Sequence, residues 1–365
     1  MTQRDRRRQV GQLLLAGFHG HAIPVELRSL ARDFDLGGVV LFARNAAEPA
    51  QVADLAREAA ELSRTAPVWV AIDQEGGRVQ RVRTPLTVWP APASLGRADD
   101  LDLTRRFGRA LAREVRAMGI TLNFAPVLDV LTRRDNPAIG DRALSDDPAR
   151  VARHGVALLQ ALQKEGLPAC GKHFPGHGEA AVDSHEDLPV VDLSPDRLEH
   201  VEWVPFRAAI EAGIDAVMSC HLLVPSLDEH APATLSHEII TNRLRGQLGF
   251  GGLVFTDDMD MKAISLRFEP GEAAARAVAA GCDAVLQCGG DLDRVHAALE
   301  GLVRAIEDET LPATRLDEAL ARHATLKARY LSDEARRRLP AAPTLREVIG
   351  SSEHALVAEQ MRQFA

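Results

Sequence analysis

The chain has 365 residues and no run of eighteen apolar ones, so nothing in it reads as a membrane-spanning helix. A secretory signal is not expected either. The apolar stretch LLLAGF near the start is brief and runs into His19, Gly20 and His21 rather than a small-residue cleavage site. There is no sustained basic face: the formal net charge is −9, and Lys and Arg are interspersed with Asp and Glu, which argues against a nucleic-acid partner. The RDRRR run at 4–8 reads as the solvated start of a first helix. The four cysteines, Cys170, Cys220, Cys282 and Cys288, lack CxxC spacing and stand in apolar surroundings. They read as small buried thiols of a reducing compartment, not as disulfides or zinc ligands. These absences predict a soluble, cytoplasmic protein. No internal repeat or low-complexity segment stands out.

What is present is enough for a full core: 46% hydrophobic and 26% charged residues, in a length that suits one large domain. Eight short apolar runs alternate with helical stretches. The runs are 12–18, 37–42, 68–73, 122–127, 168–173, 215–221, 252–257 and 283–288. Most are nearly continuous in apolar residues, the pattern of parallel strands covered on both faces. Several intervening amphipathic stretches stop at glycine, at Gly119, Gly166 and Gly213. The pattern predicts an α/β fold, a (β/α)8 TIM-type barrel in a single domain, with a doubly wound sheet as the alternative. Residues 1–330 are assigned to the barrel. Residues 331–365 read as extra C-terminal helices packed on its outside.

The polar residues fall where this frame needs them. Asp73 closes the third predicted strand, Lys172 and His173 the fifth, His221 the sixth, and Asp257 with Asp258 the seventh. All are C-terminal ends, and that face of a barrel carries the active site. The segment KHFPGHGEAAVDSH, 172–185, is the densest. His173 and His177 have the spacing of a helical metal pair, but Pro175 and Gly176 between them break the helix, so no metal is expected and His177 reads as a loop brace. Asp183 stands two residues before His185 and can fix its tautomer for proton transfer. Asp257, ionised beside Lys172 or an arginine, can serve as a nucleophile. Asp258 reads as a helix cap and Asp260 as a surface residue. The Gly76–Gly77 pair lets backbone approach something closely, with Arg78 and Arg81 nearby. Arg142, in a long loop, reads first as a loop-pinning ion pair.

The motifs IDQEGGRVQR, FAPVLDV with IGDRAL, GKHFPGHGEAAVDSH and FTDDMDMKAI occur in that order. With them, the chain from GQLLLAGFHG to about residue 290 resembles the family 3 glycoside hydrolases, in particular the single-domain bacterial β-N-acetylglucosaminidases (β-hexosaminidases) of peptidoglycan recycling. The resemblance implies that Asp257 is the nucleophile and His185 the general acid/base, with Asp183 as its partner. It implies that Asp73, Arg81, Arg142, Lys172 and His173 hold the N-acetylglucosamine ring. Related β-glucosidases take a carboxylate acid from a further domain, for which this chain lacks the length. The implied reaction is retaining hydrolysis of a terminal, non-reducing β-linked N-acetylglucosamine from muropeptides such as N-acetylglucosamine–1,6-anhydro-N-acetylmuramic acid. It needs no cofactor, and the expected partner of the monomer is that small carbohydrate. Two alternatives stay open: a phosphorylase on the same scaffold, in which phosphate replaces water because an uncharged imidazole does not repel it, and a non-catalytic sugar-binding barrel.

Overall fold

The computed structural model describes residues 3–63 and 65–365. Among them the strands are, in chain order, β1 (Leu14–Ala16), β2 (Gly38–Leu41), β3 (Trp69–Ile72), β4 (Gln74–Gly76), β5 (Val79–Gln80), β6 (Leu122–Asn123), β7 (Cys170–Phe174), β8 (Ala216–Ser219), β9 (Leu253–Asp258) and β10 (Ala284–Gln287). Strands β4 and β5 pair with each other as an antiparallel hairpin. The other eight form one parallel sheet in the order β6-β3-β2-β1-β10-β9-β8-β7. The end strands of that order meet through parallel bridges at Asn123–Ala169 and Val127–Lys172, which bring the sheet round into a (β/α)8 barrel.

The seam between β6 and β7 shows why the fourth expected strand is short. Pro126 has no N–H to give a ladder, so regular pairing stops at Asn123. Contact continues through single bonds: Cys170 N donates to Ala125 O at 2.9 Å and Lys172 N to Pro126 O at 3.1 Å.

Burial on both faces explains the continuous apolar runs. In β2, Val40 packs inside the barrel with Leu15, Trp69 and Phe255, while Val39 and Leu41 belong to the layer between strands and helices. Phe124 and Phe255 meet edge to face inside, with centroids 5.4 Å apart. Helices follow the strands as the periodicity predicts. Leu101–Ala117 is capped by Asp100, whose side chain accepts from the Asp102 and Leu103 N–H groups, and Pro148–Lys164 starts on a proline behind Asp147. The first helix, Gln3–Gly11, is less solvated than its arginines suggest, because Arg7 pairs with Glu300 at 2.6 Å.

Helix Ala313–Leu331 crosses the N-terminal end of the barrel, where Leu326 and Tyr330 join the interior cluster and Tyr330 Oη donates to Asp215 at 2.9 Å. The last helix, Ser352–Arg362, buries Val357, Ala358 and Met361 in the outer layer, and His354 bonds Glu114 of helix Leu101–Ala117 at 2.9 Å. Among the described residues no helix is long and apolar enough to cross a membrane.

Candidate active site

The C-terminal ends of the strands surround a cavity of about 310 Å³. It is lined by all eight residues expected to act on or hold the sugar: Asp73, Arg81, Arg142, Lys172, His173, Asp183, His185 and Asp257. Val40, Phe124, Met218 and Leu286 add apolar wall.

One side is an ion lattice. Lys172, only 1% exposed, reaches Asp73 at 2.7 Å and Glu75 at 2.6 Å. Arg81 meets Asp73 at 3.2 Å, and Arg142 forks onto Glu75 at 2.8 and 2.9 Å. Burial alone would raise both carboxyl pKa values, but the cations overturn it. Lys172 and Arg81 hold Asp73 well below the usual carboxylate range, and Arg142 with Lys172 holds Glu75 down at about 2. Burial works against the Lys172 charge too, and Asp73 and Glu75 outweigh it. Glu75 was not singled out from sequence, although it stands inside the IDQEGG motif two residues from Asp73. The glycines after it have φ of 104° and 59°, and a Cβ on either would stand 2.8 Å from the 90–91 backbone. The close approach they permit is to the chain's own segment.

His173 is oriented from behind. Asp129, fully buried, accepts from His173 Nδ1 at 2.7 Å, from the His173 N–H at 3.2 Å and from the His177 N–H at 2.7 Å. Arg142 approaches His173 Nε2 at 3.4 Å. A guanidinium only donates, so Nε2 accepts and the ring proton sits on Nδ1, facing Asp129. Asp129 also escaped the sequence reading. Its signal was a lone charge inside the apolar run FAPVLDV, since a buried charge needs partners. The Lys172–His173 and Phe174–Pro175 peptides are both cis.

Opposite the lattice stands Asp257, at the end of β9. Burial pushes its pKa up, but His173, His221, the Asp258 N–H and His185 together bring it below the ordinary value. The sequence reading expected Lys172 or an arginine in this role; Lys172 is spent on Asp73 and Glu75, and imidazoles take its place. The Asp258 N–H donates to Asp257 Oδ1 at 2.8 Å. His221 is buried, with Nε2 donating to the Asp258 carbonyl at 3.0 Å and Nδ1 2.9 Å from Thr234 Oγ1.

Two neighbours differ from expectation. Asp258 caps no helix: its Oδ1 accepts from the Asp260 and Cys288 N–H groups at 3.0 and 2.9 Å, tying β9 to the end of β10. Burial and the Asp260 charge push its pKa up to about 7. Asp260 is not a surface residue: its side chain is 11% exposed and held by Arg294 at 2.5 Å and the Gly289 N–H at 2.7 Å.

Asp183 and His185 form a compact unit. Asp183 Oδ1 lies 2.8 Å from His185 Nδ1 and accepts the His185 N–H at 2.9 Å. His185 is 66% exposed, and among the described residues its Nε2 has no hydrogen-bond partner. Burial raises the Asp183 pKa, but its bonds to His185 outweigh this and hold it below the ordinary value. His177 braces the loop as expected, with Nε2 3.1 Å from Ser184 Oγ.

A closed parallel barrel with a carboxylate and a carboxylate–imidazole pair facing one sugar-sized cavity defines a glycoside hydrolase. The chain belongs to glycosyl hydrolase family 3: the family described as "Glycosyl hydrolase family 3 N terminal domain" matches residues 6–326. It is 42% identical over 259 residues to a β-hexosaminidase of Thiobacillus denitrificans, covering 69% of this chain and 71% of that one. It is 43% identical over 285 residues to a β-hexosaminidase of Xanthomonas euvesicatoria, covering 76% and 83%. Among solved structures, a family 3 β-N-acetylglucosaminidase from a Paenibacillus species superposes with a TM-score of 0.92 at 39% identity, covering 98% of this chain and 68% of that one. NagZ from Neisseria gonorrhoeae in complex with N-trifluoroacetyl-D-glucosamine superposes with a TM-score of 0.79 at 32% identity, covering 97% and 98%.

Proposed function

We propose that the protein is a retaining exo-β-N-acetylglucosaminidase that releases terminal, non-reducing N-acetylglucosamine from muropeptides such as N-acetylglucosamine–1,6-anhydro-N-acetylmuramic acid in the cytoplasm. The observation that carries this reading is that Asp257 and the Asp183–His185 pair line the same cavity as Asp73 and Lys172. Its volume of about 310 Å³ is at the low end of ligand pockets, roughly 300–1,000 Å³, which suits one sugar ring on the cleaved side. The β-hexosaminidase and β-N-acetylglucosaminidase names of its relatives support the same substrate class.

In this mechanism the Asp257 carboxylate attacks the anomeric carbon as the glycosidic bond breaks, and His185 Nε2 gives its proton to the departing oxygen. The nucleophile is ionised at neutral pH because its pKa lies below the ordinary carboxylate value. Asp183 stabilises the imidazolium through Nδ1 and leaves Nε2 to the reaction. In the second half, Nε2 takes a proton from water as the oxygen attacks the same carbon, which gives net retention. Asp73, Arg81, Arg142, Lys172 and His173 supply the polar contacts to the ring hydroxyls and acetamido group. In the same reading, residues 1–330 are the catalytic barrel of a monomer and 331–365 a helical extension packed on it.

The test is incubation with an aryl β-N-acetylglucosaminide and with the anhydro-muropeptide disaccharide, with and without phosphate, following anomers by NMR. The reading requires β-N-acetylglucosamine to appear first from both substrates, and Asp257→Asn to abolish turnover. A sugar 1-phosphate would mean a phosphorylase, α-first product an inverting enzyme, and binding without turnover a lectin-like barrel.

A further inference from the structure

The Asp183–His185 unit is held together internally, so its aim over the cavity depends on how the unit is fastened to the barrel. Besides the ring and N–H bonds to Asp183 Oδ1, the Glu186 and Asp187 N–H groups donate to the Asp183 carbonyl at 2.8 and 3.2 Å, which closes residues 183–187 into one tight turn. Four attachments lead outward. Glu186 pairs with Lys262 at 2.8 Å and Asp187 with Arg267 at 2.6 Å, all with exposed side chains. The Ser184 carbonyl accepts the Ala263 N–H at 3.3 Å. Ser184 Oγ meets His177 Nε2 at 3.1 Å, with both residues buried at 3% and 2% exposure.

Their magnitudes differ. Exposed ion pairs contribute little each and weaken with salt. A hydrogen bond out of water is stronger, and leaving one of its members unpaired costs the full desolvation of a buried polar group. Among the described residues the His177 ring has no other hydrogen bond to fall back on, because its Nδ1 is buried without a partner. The tautomer with the proton on Nε2 leaves an unpaired lone pair there rather than an unpaired N–H, so Nε2 donates and Ser184 Oγ accepts. Burial keeps this imidazole uncharged at neutral pH by lowering its pKa to about 4. His177 is itself anchored, through its N–H, to the Asp129 carboxylate that orients His173.

We propose that the buried Ser184–His177 bond sets the stance of the His185 imidazole, making Ser184 and His177 positioning residues for proton transfer to the leaving group. One carboxylate, Asp129, then registers the sugar-holding histidine and the proton-donating one against each other. The inference rests on His185 being the proton donor.

Leaving-group dependence separates positioning from general structure, because an activated nitrophenolate departs without a proton and an alcohol does not. Ser184→Ala, Ser184→Thr and His185→Gly are compared on 4-nitrophenyl β-N-acetylglucosaminide and on the anhydro-muropeptide disaccharide. Ser184→Ala is expected to lower kcat on the disaccharide about tenfold or more while staying within about threefold on the aryl substrate, with Ser184→Thr recovering most of the loss. Equal losses on both substrates in Ser184→Ala, or none, overturn the inference. A selective loss in His185→Gly beside a flat Ser184→Ala overturns it alone; equal losses in His185→Gly remove the proton-donor role first, and the inference falls with it.

Discussion

Arg142 and Glu75 meet edge to edge, with Nε on one carboxylate oxygen at 2.9 Å and a terminal nitrogen on the other at 2.8 Å. The pair joins the hairpin after β3 to the long loop after β6. It also balances charge: Asp73 and Glu75 face Lys172, Arg81 and Arg142, so the lattice carries one net positive charge.

Glu75→Gln keeps the shape and adds a second uncompensated charge in a buried place. Breaking a buried pair from one side costs roughly 3–5 kcal/mol, and a loss of that order at pH 7 is expected in denaturant unfolding. The pH dependence has a definite sign. The folded pKa of Glu75 is depressed from 4.5 to about 2, so its contribution is complete above 4.5 and drains away as pH falls toward 2. The gap between wild type and Glu75→Gln should therefore narrow over that window. A gap that is constant from pH 7 to pH 2.5 contradicts the assignment.

Asp129→Asn tests the orientation of His173. One amide group now faces N–H donors that a carboxylate satisfied, and the imidazole loses the acceptor that fixed its proton on Nδ1. A drop of about tenfold to a hundredfold in kcat/KM is expected, the equivalent of 1–3 kcal/mol for an unpaired buried donor. An unchanged kcat/KM would show that the sugar does not depend on this ring's tautomer.

Asp258 predicts an alkaline effect. Its folded pKa is raised from 3.8 to about 7, so the folded state is not penalised below 3.8 and is increasingly penalised as pH rises toward 7. Asp258→Asn keeps an oxygen for the Asp260 and Cys288 N–H groups and removes the titration. The variant should equal wild type near pH 4 and exceed it at pH 8 by at least about 1 kcal/mol, one pKa unit's worth. Thermal unfolding at the two pH values measures this, and a variant less stable at pH 8 refutes it.

The barrel was legible because its strands are buried on both faces and announce themselves as apolar runs, and because the residues with chemistry stand at one set of strand ends. Asp257, Lys172 and His173 could be found that way. Glu75 and Asp129 could not, since a residue that works by holding another side chain shows only as a carboxylate in an apolar or glycine-rich setting. The partner of Asp257 was misassigned for a related reason: sequence gives the cations available and not how they are divided, and Lys172 is consumed by two carboxylates. Asp260 looked exposed in FTDDMDMKAI because Arg294, which covers it, lies 34 residues away.

The four cysteines are all free and buried, and burial pushes the Cys170, Cys220, Cys282 and Cys288 thiols well above their ordinary pKa. No thiolate is available at neutral pH, so electrophiles and mild oxidants have nothing to attack in the folded chain. A cysteine introduced at exposed Val182 would then be the one reactive sulfur. A fluorophore or spin label attached there would follow the turn bearing His185 through the catalytic cycle, with no native cysteine removed.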